Sequence, residues 1–215
     1  MKRDTTMAIA YKYILEGILS GKIVQGTPIS EMEVSQILGI SRSPVREALR
    51  KLEAEGLIII FPGRGAFVIE ISDQDIREVF ELRILLECHS LKRACFCITK
   101  EWLIEMKTKI NLLSPETSSA NDFYAIDFEL HSAIVVNGGN KRLIKMYKNV
   151  LFQIDMIRRI SSMNPQHFAT SRDYHLQLID SIYNRDLDAA ENILSEHLDY
   201  VLLNTLHYSP IAIKN

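Results

Sequence analysis

Long apolar runs and any strong excess of charge are both missing from this 215-residue chain. No uninterrupted apolar stretch approaches the roughly 20 residues that span a bilayer, so no membrane-crossing helix is expected. Twenty-five Lys and Arg stand against 27 Asp and Glu, a net charge of −2, so bulk charge by itself draws the chain to neither nucleic acid nor an anionic surface. Internal repeats and low-complexity segments are absent too. Cysteine is scarce: Cys88, Cys95 and Cys97 are an odd number crowded into one apolar segment, which suits buried reduced thiols in a reducing compartment better than a disulfide framework. Cys95 and Cys97 do not form a metal clip, because residues two apart on a helix do not face each other. Met1-Lys2-Arg3-Asp4 leads into an amphipathic helix rather than the apolar run of a signal peptide. A cytoplasmic protein without membrane contact is expected.

What is there is an ordinary globular composition, 47% hydrophobic and 24% charged, with enough apolar side chain for a real core. Charge is mildly polarised. Residues 1–69 hold nine Lys/Arg against seven Asp/Glu, and the remainder holds 16 against 20. The position of Arg42, Arg46, Arg50, Lys51 and Arg64 therefore matters more than their number.

Residues 30–69 carry the most information. Ser30-Glu31-Met32-Glu33-Val34-Ser35-Gln36-Ile37-Leu38 predicts a short helix capped by Ser30, with Glu33 three residues on. Gly39-Ile40 makes a tight turn. A second helix opens at Ser41 and runs to Glu55, with Pro44 in its first turn, where a missing amide hydrogen costs nothing. Gly56 stops it. Leu57–Phe61 reads as a strand, Pro62-Gly63-Arg64-Gly65 as a turn and Ala66–Ile69 as the return strand. Helix-turn-helix plus hairpin is a winged helix, preceded by a helix over Thr5–Ser20 with Ile9, Tyr13, Ile14 and Ile18 at helical spacing. Ser41, Arg42, Ser43 and Arg46 lie near the start of the second helix, the end that reaches base edges in the major groove. Two short helices and a hairpin can also be a plain packed subdomain. Arginine at a helix N-terminus opposes the macrodipole, however, and placing Arg42 and Arg46 there calls for an anion. Double-stranded DNA supplies one.

The organisation expected is a winged helix-turn-helix domain at 1–69, a connector at 70–72 and an all-α antiparallel helical bundle at 73–215, mainly α overall. Ser72 or Asp73 caps the first bundle helix. Helical stretches at about 73–98, 100–113, 119–136, 139–161, 165–184 and 186–207 are divided by Thr99, Ser114-Pro115, Gly138-Gly139, Asn164-Pro165 and Asn184-Arg185-Asp186. The core between facing helices of such a bundle is a natural place for a ligand or metal.

Four candidate metal ligands fall on inward faces of that bundle. Asp127 and His131 are i and i+4 on one helix, flanked by Phe123, Ile126, Leu130 and Ile134. His175 shares a stripe with Phe168, Leu178, Ile179 and Ile182, and His197 shares one with Ile193, Leu194 and Val201. A lone inward histidine is ordinarily a hydrogen-bonded core residue, and an i, i+4 Asp–His pair can be a simple hydrogen bond. One carboxylate and three imidazoles on three inward faces suit a divalent transition metal such as zinc, nickel, manganese or iron. His89, His167 and His207 lack such context and read as surface or packing residues. Arg83 continues the apolar stripe Ile76, Val79, Phe80, so its guanidinium needs a buried anion. Glu87, one turn on, can be that anion. Alternatively, Arg83 clamps the carboxylate of a small organic acid whose other oxygens reach the metal. Asn204, two turns beyond His197, either lines the same cavity or bonds a neighbouring helix; Arg172 either adds charge to the pocket or stays at the surface.

The run Ile40-Ser41-Arg42-Ser43-Pro44-Val45-Arg46-Glu47-Ala48-Leu49, with Glu55-Gly56-Leu57 and Gly63-Arg64-Gly65-Ala66-Phe67-Val68, resembles the signature of the GntR family of bacterial transcription regulators. The helical remainder resembles the FCD effector domain of that family's FadR-like branch, and the two resemblances cover nearly the whole chain. They imply that Arg42 and Arg46 contact bases or adjacent phosphates, Ser41 and Ser43 the backbone, and Gly65 at the wing tip, beside Arg64, the minor groove. They imply metal at the same Asp127, His131, His175 and His197, an Arg83 (in Glu81-Leu82-Arg83) that meets the acid, and a homodimer on a two-fold symmetric operator. One departure is Met32, where the family commonly has a basic residue. The expected function is a regulator whose operator affinity responds to a small carboxylate at the metal site; the alternative makes the metal itself the signal. A hydrolase using metal-bound water is disfavoured, since no general base stands beside the cluster once Asp127 is a ligand.

Overall fold

The computed structural model describes residues 5–114, 117–161 and 165–207. Met1–Asp4, Pro115, Asn164 and everything after His207 lie outside the described residues, and with them the N-terminal tetrapeptide, parts of two expected breaks and both outer domain limits. Contacts divide the chain into two compact units, meeting between Ile71 and Ser72.

In the first unit, helix α1 (Thr6–Leu19) is capped by Thr5, whose side chain accepts from the Ala8 amide. It buries Ala10, Ile14 and Ile18 and packs on α3. Ile9 and Tyr13, expected on the apolar stripe, are exposed: small Ala10, one turn before Ile14, sets the buried stripe and rotates it away from them. A two-residue strand β1 (Pro28–Ile29) precedes α2 (Glu31–Leu38), which Ser30 caps by accepting from the Glu33 amide at 3.2 Å. Gly39 ends α2 in the left-handed conformation, φ 63°, which a side chain would resist. Helix α3 (Arg42–Ala54) then buries Val45, Ala48, Leu49 and Leu52.

Strands β2 (Ile58–Phe61) and β3 (Gly65–Val68) form the wing hairpin, with Ile60 opposite Ala66 and Phe61 opposite Gly65. The Arg64 amide donates to the Phe61 carbonyl at 3.0 Å, closing a turn with proline second and Gly63 third at φ 73°, the residues a type II turn requires. The sheet order is β1-β3-β2. Strand β1 was not anticipated from the sequence: two residues carry no alternation, and only pairing with β3, Pro28 opposite Phe67, makes them a strand.

The second unit is all helix among the described residues: α4 (Asp73–Cys97), α5 (Lys100–Asn111), α6 (Ala120–Asn137), α7 (Lys141–Ser161), α8 (Pro165–Tyr183) and α9 (Leu187–His207). Reciprocal capping boxes, Ser72 with Asp75 and Ser119 with Asp122, start α4 and α6, each satisfying two amides that a helix start leaves unpaired. Helix α4 packs against α6, α7 and α9, while α8 packs against α5 and α9. At the end of α6 a Cβ on Gly138 would stand 2.8 Å from Ser90 Cβ and 3.0 Å from its Cα, so glycine lets α6 close on α4. All three cysteines are free. Cys88 is half-buried, Cys95 buried and Cys97 exposed, the last two on opposite faces, so the expectation of buried thiols holds for Cys95 and is corrected for Cys97.

Candidate functional site

The start of α3 presents Ser41, Arg42, Ser43 and Arg46 to solvent, while Val45, Ala48 and Leu49 turn to the core. The helical repeat thus leaves one outer face for polar residues. Ser41 stands at the cap position with no side-chain capping bond, which leaves its hydroxyl for another partner. Arg42 has no ion pair among the described residues. Arg46 does: its Nε donates to Glu31 Oε2 at 2.7 Å, with the arginine side chain 61% exposed. Sequence reasoning required an outside anion for both arginines; for Arg46, α2 already supplies one, and only Arg42 retains that reason. Lys51 sits over the Tyr11 ring at 3.8 Å with Glu55 4.0 Å away. On the wing Arg64 lies 5.7 Å from the Phe61 ring centroid, and Arg64 and Gly65 are exposed. Met32 is exposed on α2.

In the bundle, one donor atom from each of Asp127, His131, His175 and His197 lies within 4.8 Å of all the others, and all four residues are buried. His175 Nε2 stands 3.1 Å from His197 Nε2, 3.3 Å from His131 Nε2 and 3.1 Å from Asp127 Oδ1. His131 Nε2 is 3.4 Å from the same carboxylate oxygen. Ligands at about 2.0–2.2 Å from a shared ion are separated by roughly 3.0–3.5 Å, so these four gaps fit, while the widest donor separation, up to 4.8 Å, has to shorten for one ion to take all four. Without a cation, these Nε2···Nε2 contacts need an N–H on one ring of each pair; a cation lets all three rings present lone pairs. Burial, followed by the neighbouring His175 and His131, holds His197 well below the ordinary histidine pKa, which keeps it neutral and able to coordinate. Phe123 stacks on His175 at 6.0 Å and meets Phe168 at 4.6 Å, walling this side with apolar surface.

Arg83 is 1% exposed. Its Nε donates to Glu87 Oε1 at 2.8 Å, while Nη1 and Nη2 are buried with no hydrogen-bond partner among the described residues. Burial is the largest influence and works against its charge, yet Glu87 and Asp127 with Tyr147 hold its pKa above the usual value. Both readings of Arg83 therefore have a physical basis: Glu87 meets the Nε–H, and the two NH2 groups remain. Asn204 is half-buried on α9 and is not among the four converging donors. Arg172 donates to the Ile110 carbonyl and to Asn111 Oδ1, tying α8 to the end of α5.

Two residues were missed or undervalued. Glu87 accepts from Tyr147 Oη at 2.8 Å and lies 2.6 Å from His131 Nδ1. Its spacing to Arg83 announced an ion pair, but the contacts to α6 and α7 cross 44 and 60 positions of sequence and carry no local signal. His167 is buried, stacked on Tyr200 at 5.4 Å, and burial pushes its pKa down to about 4. With Ser171 and His175 it forms a polar stripe along α8 that the i, i+4, i+8 spacing could have revealed.

A winged helix and an all-α bundle with a buried ligand cluster define a DNA-binding regulator with a sensory domain. Residues 7–68 match the bacterial regulatory proteins of the gntR family and residues 78–200 match the FCD domain. The chain belongs to the GntR family, with an FCD domain, and is a DNA-binding transcriptional regulator rather than an enzyme. It is 29% identical over 195 residues to the HTH-type transcriptional repressor RspR of Escherichia coli (strain K12), covering 89% of this chain and 85% of that one. Its fold is that of a GntR protein from Rhodococcus sp. RHA1, with a TM-score of 0.78 and 19% identity over 93% of this chain and 97% of that one. It also resembles the Zn2+-bound FCD domain of TM0439, with a TM-score of 0.56 and 26% identity over 64% of this chain and 95% of that one. Among the described residues no helix is long and apolar enough to cross a membrane.

Proposed function

We propose that this regulator changes its operator affinity when a small carboxylic acid binds between a divalent metal, held by Asp127, His131, His175 and His197, and the guanidinium of Arg83. The observation that carries this is the two buried NH2 groups of Arg83, without a hydrogen-bond partner among the described residues, in the same helical unit as four convergent candidate donors. Such a metal neutralises the carboxylate of Asp127, fills the space between the imidazoles and offers open coordination to an oxygen ligand. Asn204, on the helix of His197, would add a polar contact to the acid. The zinc in the FCD domain of TM0439 makes Zn2+ the first ion to test.

The DNA-binding domain would span 1–69, with Arg42 and Arg46 reading bases or adjacent phosphates, Ser41 and Ser43 on the backbone, and Arg64 and Gly65 at the minor groove. The effector domain would run from residue 73 and pair two copies, so that a symmetric operator in the cytoplasm is met by two recognition helices. Acid binding shifts operator affinity only through a difference in affinity for the DNA-competent and incompetent arrangements. Operator selected in vitro, labelled and titrated with protein in zinc buffer, in chelator, and in zinc plus a carboxylate panel tests this. An acid effect confined to the zinc-loaded protein is expected. A response to zinc alone would transfer the signal to the ion, and no response to either would end the sensing reading.

A further inference from the structure

Glu87 is fully buried in α4, is not one of the four metal donors, and yet touches both parts of the ligand site. Its Oε1 accepts from Arg83 Nε and from Tyr147 Oη, both at 2.8 Å, and its Oε2 stands 2.6 Å from His131 Nδ1. A carboxylate oxygen in that place asks the facing ring nitrogen to carry the hydrogen, which leaves the lone pair on Nε2. Nε2 is the nitrogen that points among Asp127 Oδ1 and His175 Nε2.

We propose that Glu87 is the positioning residue of the metal centre. It holds His131 as the Nδ1–H tautomer with Nε2 open to the ion, and by taking only Nε of Arg83 it keeps the two outer guanidinium NH2 groups for an anion. This rests on the metal reading above and deepens it: metal ligand and anion clamp are fixed by the two oxygens of one carboxylate. A partner on the far nitrogen of a ligating histidine orients the ring and raises its basicity. The contact also ties α6 to α4 and, through Tyr147, to α7, so the ion's seat is set by three helices at once.

The alternative is that Glu87 serves only as the buried counter-charge of Arg83, and Glu87→Gln separates the two. Two donors, Arg83 Nε and Tyr147 Oη, face one end of this side chain, so the amide oxygen of glutamine takes that end and its NH2 faces His131. The imidazole proton must then move to Nε2, the metal-facing nitrogen. The test uses the full chain stripped of metal. The nitrogen-15 shifts of His131 report its tautomer, and titration with Zn2+ alone against a chromophoric chelator reports affinity. The expected results are an Nδ1-protonated His131 in the wild type, and in E87Q an Nε2-protonated ring with Zn2+ affinity lowered roughly 10–100-fold. In an H131A background the same E87Q change should lower affinity no further.

The wild-type tautomer needs no variant, so a poorly folding E87Q leaves the proposal open to refutation. Nε2-protonated His131 in the wild type, unchanged Zn2+ affinity in E87Q, or equal losses with and without His131 would overturn it. A wild type that takes no Zn2+ while showing the Nδ1–H ring would instead overturn the metal reading, a result distinct from a failure of Glu87.

Discussion

Replacing Arg83 with methionine tests the sensory half of this protein most directly, because methionine keeps an unbranched apolar side chain and removes only the guanidinium. Two opposing effects set the stability of the unliganded variant. Breaking a buried ion pair costs about 3–5 kcal/mol. Removing Nη1 and Nη2, which are buried without partners, returns about 1–3 kcal/mol apiece. Glu87 keeps Tyr147 and His131 as donors, so the net loss should stay within about 3 kcal/mol. Acid binding should fare much worse. Two charge-assisted bonds are each worth at least about 1.5 kcal/mol, so R83M should weaken a carboxylate about 100-fold or more. Urea unfolding of zinc-loaded protein with and without acid reads both quantities. An acid at 100 times its Kd should stabilise the wild type by about 2.7 kcal/mol and R83M hardly at all. A variant as responsive to acid as the wild type, or one destabilised by about 5 kcal/mol or more, the cost of breaking a buried pair with no compensation, would refute the reasoning.

The remaining predictions concern DNA and pH. Arg42→Ala and Arg46→Ala should each weaken operator binding by about 1–3 kcal/mol if they read bases. Fluorescence anisotropy checks this, and equal losses on operator and random DNA would mark both as phosphate contacts. His167 has its pKa lowered from 6.5 to about 4 by burial, so between those values the unfolded chain binds a proton that the folded chain refuses. Stability should therefore fall as pH drops from 6.5 to about 4, by up to about 3 kcal/mol, and level off below. Urea midpoints at pH 7 and pH 5 measure the slope; it should be shallower in His167→Gln, and an unchanged slope would show that His167 does not set it.

Much of this protein is legible in local sequence because its elements are punctuated locally. Ser30 before Glu33, Ser72 before Asp75, Gly39 and Gly56 after their helices, and Pro62-Gly63 between apolar strands each act within a few residues. The four metal donors were legible for a related reason: helical periodicity puts a residue on the inward face whatever that face later meets. Where periodicity is ambiguous, reading failed, as on α1, where Ile9 and Tyr13 are as apolar as Ile14 but lie on the wet side. The outside anion demanded for Arg46 was misjudged because Glu31 lies on another helix, and β1 exists only as a partner of β3.

Chain order and side-chain pattern alone determined the winged helix, the helical bundle and the inward set Asp127, His131, His175 and His197, since caps, turns and amphipathic stripes are short-range properties. Only the tertiary structure decided that the four donors converge, that Glu87 joins Arg83 to His131 and Tyr147, and that Arg46 already has Glu31. The contacts of Glu87 with His131 and Tyr147 and of Arg46 with Glu31 join residues 15 to 60 positions apart, and the packing of one helix against another, not the spacing along either, sets whether two such groups meet.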